Sequence, residues 1–121
     1  MTKEEIAYLL KRYRFIVKIM EHNKASECFV IGDKKERIAI DENTKTFVEA
    51  VQRALELEPD EYVRNVLKQI LMSGDNDYYI YLTNNLTKSS FYRLKGAFTE
   101  FVFCLCILRG LVSESELKPP V

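Results

Sequence analysis

The stretch LTKSSFYRLKGAF, residues 86–98, constrains the fold more than any other part of the chain. At about 100° per residue, a helix that starts after Thr87 divides into two sides. The apolar side is expected to face a core and comprises Ser90, Phe91, Leu94, Ala97, Phe98 and Phe101. The other side carries three cations and no acid before Glu100, and comprises Lys88, Ser89, Tyr92, Arg93, Lys95, Gly96 and Thr99. Thr87 is a suitable N-cap, and Gly110 is expected to end the helix after about Arg109.

The residues that precede this helix predict a short helix and a turn. A short helix is expected over 78–82, with Asp75 as its N-cap. The asparagines at 84–85 favour a turn, and the apolar Leu86 within it is expected to be buried. Residues 75–110 are therefore predicted to form a helix-turn-helix that is followed by a long C-terminal helix.

The polar side of the long helix suggests contacts with duplex DNA. In a helix-turn-helix the first turns of the second helix enter the major groove, so the best candidates for base contact are Lys88, Ser89 and Tyr92. Arg93 is suited either to bidentate recognition of guanine or to a phosphate contact. Lys95 is expected to neutralise a phosphate, while Thr87 mainly caps the helix. The alternative is that these charges form only the solvated face of an ordinary amphipathic helix.

The N-terminal part, residues 1–72, is predicted to be helical and to supply the core or an oligomer contact. Thr2 and Glu5 have capping-box spacing, and one apolar stripe extends from Ile6 to Met20. The same stretch carries a basic face, formed by Lys11, Arg12, Arg14 and Lys18. A further helix is expected from about Asn43, and another after the break that Pro59 and Asp60 produce.

The segment at 28–40 is the least regular part of the sequence. It is rich in β-branched residues around GDKKE, so either a short β-hairpin or a loop that wraps the core is expected. The tail SESELKPPV, residues 113–121, is polar and is expected to fray. We therefore expect a mainly α-helical single domain over 1–121, a helical bundle with the helix-turn-helix near its C-terminal end.

The composition excludes several classes of protein. With 121 residues, 18 basic and 18 acidic, the chain does not coat DNA by bulk charge. The N-terminal sequence lacks the pattern of a signal peptide, and the apolar run 101–108 is far shorter than the roughly 20 residues that span a bilayer. We expect a cytoplasmic protein with no membrane association. A single histidine and no glycine-rich phosphate loop give no basis for an enzyme or a cofactor.

Cysteines and tyrosines provide weaker signals. Cys104 and Cys106 lie about 200° apart on a helix, so they are not expected to share a metal ion with Cys28 or His22. All three cysteines are expected to be buried and inert. The tyrosines at 78, 79 and 81 could stack on single-stranded bases, but their helical spacing is more typical of core and rim residues.

The long helix becomes apolar beyond Glu100, on the side that earlier carries the cations. Residues this apolar are expected to be covered, either by the N-terminal helices or by a second subunit. The intramolecular explanation is slightly favoured, since the other helices must pack somewhere. The candidate oligomer interface comprises Val102, Phe103, Cys106 and Ile107, and a homodimer would suit a palindromic operator.

The stretch YYIYLTNNLTKSSFYRLKGAFTEF, residues 78–101, resembles the C-terminal signature of the ArpU family of phage-encoded transcriptional regulators. The resemblance rests on Ile80 (or Tyr81), Asn85, Leu86, Thr87, the run from Ser89 to Arg93, Lys95 and Ala97. Further upstream, KRYRFIVKIM at 11–20 and VEAVQRALELEPDEYVRNVL at 48–67 are similar to helices of that family. Related RinA-type activators and the fourth region of sigma factors share the pattern. Thr87 replaces the usual serine, and the segment at 28–40 has no good counterpart.

This resemblance implies a helix-turn-helix that controls late phage genes in a Gram-positive host, and host RNA polymerase is a possible further partner. Two alternatives stay open at this point. One is a phage-encoded adaptor that binds a host protein, such as RNA polymerase or a defence component, without an operator of its own. The other is a DNA-packaging protein similar to a small terminase.

Overall fold

A computed structural model describes residues 1–112 of the chain. In this part six helices and one two-stranded antiparallel sheet occur, so the protein is mainly α-helical with a short hairpin, as predicted. In chain order the elements are α1 (Lys3–Lys11), α2 (Tyr13–Glu21), β1 (Ser26–Ile31), β2 (Lys34–Ala39), α3 (Glu42–Leu57), α4 (Glu61–Met72), α5 (Asp77–Thr83) and α6 (Lys88–Leu108). The tail at 113–121, which we expected to fray, lies outside the described residues.

Side-chain caps explain where most of the helices begin. The predicted caps Thr2, Asp60 and Thr87 each accept a hydrogen bond from a backbone N–H in the first turn of their helix, which satisfies donors that the helix itself leaves free. The prediction for α5 was wrong by one residue. Its cap is Asn76, whose Oδ1 accepts from the Tyr79 N–H at 2.9 Å, whereas the Asp75 N–H donates to Ser73 Oγ in the preceding turn.

The apolar stripe near the N-terminus belongs to two helices. The chain leaves helical geometry at Arg12, with φ −109° and ψ 7°, between α1 and α2. The Arg12 guanidinium stacks on the Tyr8 ring, 3.5 Å from its centroid, and forms a bidentate pair with Glu36 of β2. This pair fastens the hairpin to the break between the two helices.

The irregular segment forms the hairpin rather than a loop. Ser26 pairs with Ala39 and Ile31 with Lys34, and the chain reverses at Gly32, whose φ of +67° favours glycine. Ile38 is the buried residue of the sheet, while the Phe29 ring lies 4.8 Å from that of Phe15 on α2. The hairpin thus covers one side of α2.

The main core is formed by α1, α2, α3 and the second half of α6. Phe47 and Val51 of α3 are fully buried there. From α6, Val102, Phe103 and Cys106 are also buried in this core, and Ile107 is half-buried against it. The candidate oligomer interface at these four residues is therefore wrong: the N-terminal helices of the same chain cover it, as the favoured intramolecular explanation stated.

A small core joins α4, α5 and the first half of α6. It consists of Val66, Ile80 and Phe91, with half-buried neighbours Ile70, Tyr81, Leu86 and Leu94. α6 therefore belongs to both cores, and it meets them with different sides. Ala97 and Phe101, predicted to face inward, are exposed because α6 contacts the small core on one side near its start and α3 on another side farther along.

In the part of the chain that the structure describes, no helix combines the length and apolar character needed to cross a membrane.

Candidate nucleic-acid interface

α5 and α6 are joined by a tight turn that holds them in a helix-turn-helix arrangement. The four connecting residues, 84–87, include Asn85 at φ +57°, a left-handed conformation that asparagine tolerates better than other non-glycine residues. Leu86 enters the small core, and its N–H donates to the Tyr81 carbonyl at 2.9 Å. Asn84 Nδ2 donates to Gln69 Oε1 of α4 at 2.8 Å. These two hydrogen bonds fasten the turn to α5 and α4.

The first two turns of α6 present a polar face to solvent. We define the α6 polar face as Lys88, Ser89, Tyr92 and Arg93, which are all exposed. Burial of Phe91 in the small core, with Leu94 packed beside it, fixes this orientation, since Ser89 and Arg93 lie on the opposite side of the helix from Phe91. The Thr87 hydroxyl accepts from the Ser90 N–H at 3.1 Å and donates to Ser90 Oγ, so its role here is that of a cap. The structure thus brings four of the six predicted DNA-contact residues together on one accessible face.

Lys95 and Tyr92 have an intramolecular partner that sequence reasoning did not find. Lys95 Nζ lies 3.1 and 3.2 Å from the two carboxylate oxygens of Asp77, the first residue of α5. The Tyr92 hydroxyl donates to the same carboxylate at 3.2 Å. Lys95 is half-buried and, in this arrangement, neutralises a carboxylate rather than lying free for a phosphate.

The surroundings of Tyr92 favour the neutral form of its phenol. Partial desolvation of the ring, and then the negative charge of Asp77, raise the pKa of Tyr92 above its ordinary value. A neutral phenol can donate a hydrogen bond as well as accept one. Tyr92 is therefore suited to pair with either a base edge or a phosphate oxygen once it leaves Asp77.

Aromatic rings continue from the α6 polar face onto α5. Phe91 lies 5.2 Å from Tyr92 and 5.6 Å from Tyr81, and Tyr81 lies 5.4 Å from Tyr78, measured between ring centroids. Tyr78 is 62% exposed and Leu82 56%, and Tyr79 is exposed as well. The expectation that the tyrosines belong to core and rim holds only for Tyr81. We call the exposed set Tyr78, Tyr79 and Leu82 the α5 aromatic surface.

The basic face predicted near the N-terminus is only partly free. Arg12 is used by its pair with Glu36, whereas Lys11, Arg14 and Lys18 are exposed. The guanidinium of Arg14 lies against Gly74, just before α5. Arg14 therefore lies beside the helix-turn-helix, although on a different element.

The cysteines differ from the prediction. Cys28 and Cys104 are exposed, and only Cys106 is buried, because Cys104 and Cys106 lie on different sides of α6. Burial raises the pKa of the Cys106 thiol to about 11. Within residues 1–112 no group of three or more histidine, cysteine or acidic side chains is placed to hold a metal ion.

Sequence reasoning identified the α6 polar face but missed Asp77 and the exposure of the α5 aromatic surface. Asp77 lies 18 positions before Lys95, a spacing that no local motif connects. The three tyrosines within four residues were the available signal for the surface, and only the position of the small core decides which of them are exposed.

Neither a protein-family model, nor a curated protein, nor a solved structure matches this chain.

Proposed function

We propose that this chain is a sequence-specific regulator of transcription that binds duplex DNA through α5, the turn at 84–87 and the start of α6. The observation that supports this most directly is the position of Phe91. Its burial in the small core turns Lys88, Ser89, Tyr92 and Arg93 outward on the first turns of α6, the part of a helix-turn-helix that reaches base edges.

The charged side chains near the α6 polar face contribute to both the affinity and the specificity of DNA binding. Lys88 and Arg93 have no ion-pair partner within the described residues, while Lys95 is held by Asp77. Two free cations on one face provide a modest electrostatic attraction to phosphates. Specificity then depends on Arg93, Tyr92 and Ser89, whose donors and acceptors can match base edges in the major groove.

The biological role in this proposal comes from the resemblance to the ArpU family. We propose control of late phage or prophage genes in the cytoplasm of a bacterial host, with host RNA polymerase as a further partner. Two copies on a palindromic operator would suit the helix-turn-helix. Because Val102, Phe103 and Cys106 are buried in the main core, a homodimer would use another surface.

Binding to the DNA that flanks the gene, measured over a series of salt concentrations, tests this proposal. Arg93→Ala is expected to weaken binding about 5- to 150-fold if Arg93 contacts a guanine bidentately, and Tyr92→Ala is expected to weaken it as well. Lys35→Ala, on the hairpin, is the matched control and should leave affinity at this site nearly unchanged. If the wild type binds no duplex, or if all three variants bind equally well, the proposal is wrong.

A second candidate function is favoured by the α5 aromatic surface. Exposed apolar side chains grouped on one helix often mark a protein interface, so the chain could act as an adaptor for a host protein without its own operator. Tyr78→Ser with Leu82→Ser distinguishes the two. If the α5 aromatic surface serves a protein, this double variant should lose partner binding, and neither it nor the wild type should bind duplex DNA above a nonspecific level.

A further inference from the structure

A cavity of about 320 Å³ lies between the two cores of the molecule. Its walls come from α1, α2, the end of α4, the start of α5 and the middle of α6. Most of its lining is apolar, from Ala7, Leu10, Leu67, Ile70, Leu71 and Phe98. The size is at the lower end of the roughly 300–1,000 Å³ that is typical of small-molecule sites, and such sites combine an apolar lining with a few polar groups.

The charged groups of the cavity favour an anion. Lys11, Arg14, Lys95, Asp75 and Asp77 line it, and Lys95 pairs with Asp77 at 3.1 Å. This pairing leaves two cations against one carboxylate. Within the described residues neither Lys11 nor Arg14 has an ion-pair or hydrogen-bond partner, so both are available to a ligand.

The position of Arg14 depends on a glycine. A Cβ at position 74 would clash with Arg14 Nη1, and Gly74 has a φ of +75°. The guanidinium thus lies directly against the backbone that precedes α5, with its central carbon 4.4 Å from the Phe15 ring centroid. The planar fork of an arginine in this place suits a carboxylate, which it can bind with two parallel hydrogen bonds.

We propose that this cavity binds a small amphipathic carboxylate, with its apolar body between Leu67, Ile70 and Phe98 and its head group at Arg14 and Lys11. The single net positive charge at the cavity matches a monovalent head group. This site is separate from the α6 polar face, and its occupation can be measured without DNA.

Decanoate, at concentrations below its self-association, is a suitable probe, and the methyl resonances of Leu67, Ile70 and Leu71 report on it. We expect saturable shifts of these resonances, with decan-1-ol and decylamine binding at least about tenfold more weakly because they lack the charge-assisted hydrogen bonds. Arg14→Gln and Lys11→Gln should weaken decanoate to a similar extent. Lys18→Gln removes an equal charge from α2, the helix that carries Arg14, but Lys18 does not line the cavity, so this variant should bind decanoate as the wild type does.

Ala7→Phe, which fills the cavity, should abolish decanoate binding. If this variant does not fold, the substitutions at the exposed residues Arg14 and Lys11 still test whether decanoate binds in the cavity. Equal binding of decanoate and decylamine would overturn the proposal, as would shifts that do not saturate and spread to exposed residues such as Leu82 and Leu108. Absence of decanoate binding to the wild type would overturn it as well.

Discussion

Replacement of Asp77 by asparagine is expected to strengthen DNA binding while it weakens the fold. In the free protein the Asp77 carboxylate holds Lys95 at 3.1 Å and accepts the Tyr92 hydroxyl at 3.2 Å. The asparagine side chain has the same size and keeps an oxygen that accepts from Tyr92, but it carries no charge. Lys95 is then free to turn toward a phosphate, and a negative charge next to the DNA disappears.

The two effects have separate magnitudes. The side chains of Lys95 and Asp77 are 39% and 33% exposed, so loss of their ion pair costs less than about 1 kcal/mol. Loss of an acid in the first turn of α5 adds about 0.3–1 kcal/mol. We expect a total of about 1 kcal/mol, or a melting temperature lower by about 4 °C. One additional phosphate contact should make the slope of log K against log salt steeper by about 0.9, with roughly 3- to 10-fold tighter binding at low salt.

Asp75→Asn is the matched control. Asp75 is exposed and, within the described residues, has no ion pair, so its replacement changes the net charge equally without releasing Lys95. Thermal unfolding gives the loss of stability, and fluorescence anisotropy of a labelled duplex gives K at several salt concentrations. Equal slopes for the Asp75→Asn and Asp77→Asn variants would mean that bulk charge alone acts. Weaker binding by Asp77→Asn would refute the reasoning, since Asp77 would then be a positive contributor to the interface.

Four further predictions concern stability, reactivity and pH dependence. Phe91→Ala should lower the free energy of unfolding by about 3–5 kcal/mol, because Phe91 is fully buried in the small core. Leu108→Ala, at an 81% exposed position, should change the free energy of unfolding by no more than about 0.5 kcal/mol in the same denaturant titration. Asn85→Ala should cost about 1–2 kcal/mol at its φ of +57°, while Asn85→Gly should be nearly neutral; equal losses would contradict a conformational origin. A thiol-reactive disulfide reagent should modify Cys28 and Cys104 quickly and Cys106 only on unfolding. Burial raises the pKa of Cys106 to about 11 in the folded protein, so the thiol ionises at lower pH in the unfolded chain than in the folded one. The free energy of unfolding should therefore fall as pH rises from about 8.5 toward 11. Cys106→Ala should remove that part of the pH dependence.

The beginnings of α1, α4 and α6 and the break at Pro59 were predictable because they depend on neighbouring residues. Thr2, Asp60 and Thr87 accept hydrogen bonds within their own first turns, and a local pattern contains all the information for such a cap. The α6 polar face was predictable for the same reason, since the 3.6-residue period fixes which side chains share a side with Phe91.

The remaining features depend on contacts between distant residues. α6 meets two cores on two sides, so the exposure of Phe101 and the burial of Phe103 follow from where α3 crosses the helix. Asp77 reaches Lys95 only because the turn at 84–87 brings the start of α5 beside α6. No periodicity along the chain contains that information, and neither the break at Arg12 nor the exposure of Cys104 could be read from it.

DNA contact at the first turns of α6 is the central claim, and amide NMR spectra recorded during titration with the flanking duplex test it directly. We expect the largest shift changes at Lys88, Ser89, Tyr92 and Arg93, smaller ones at the start of α5, and almost none in the hairpin at 26–39. Changes confined to the α5 aromatic surface, or spread evenly over the exposed lysines of the chain, would contradict the claim that the α6 polar face reads DNA.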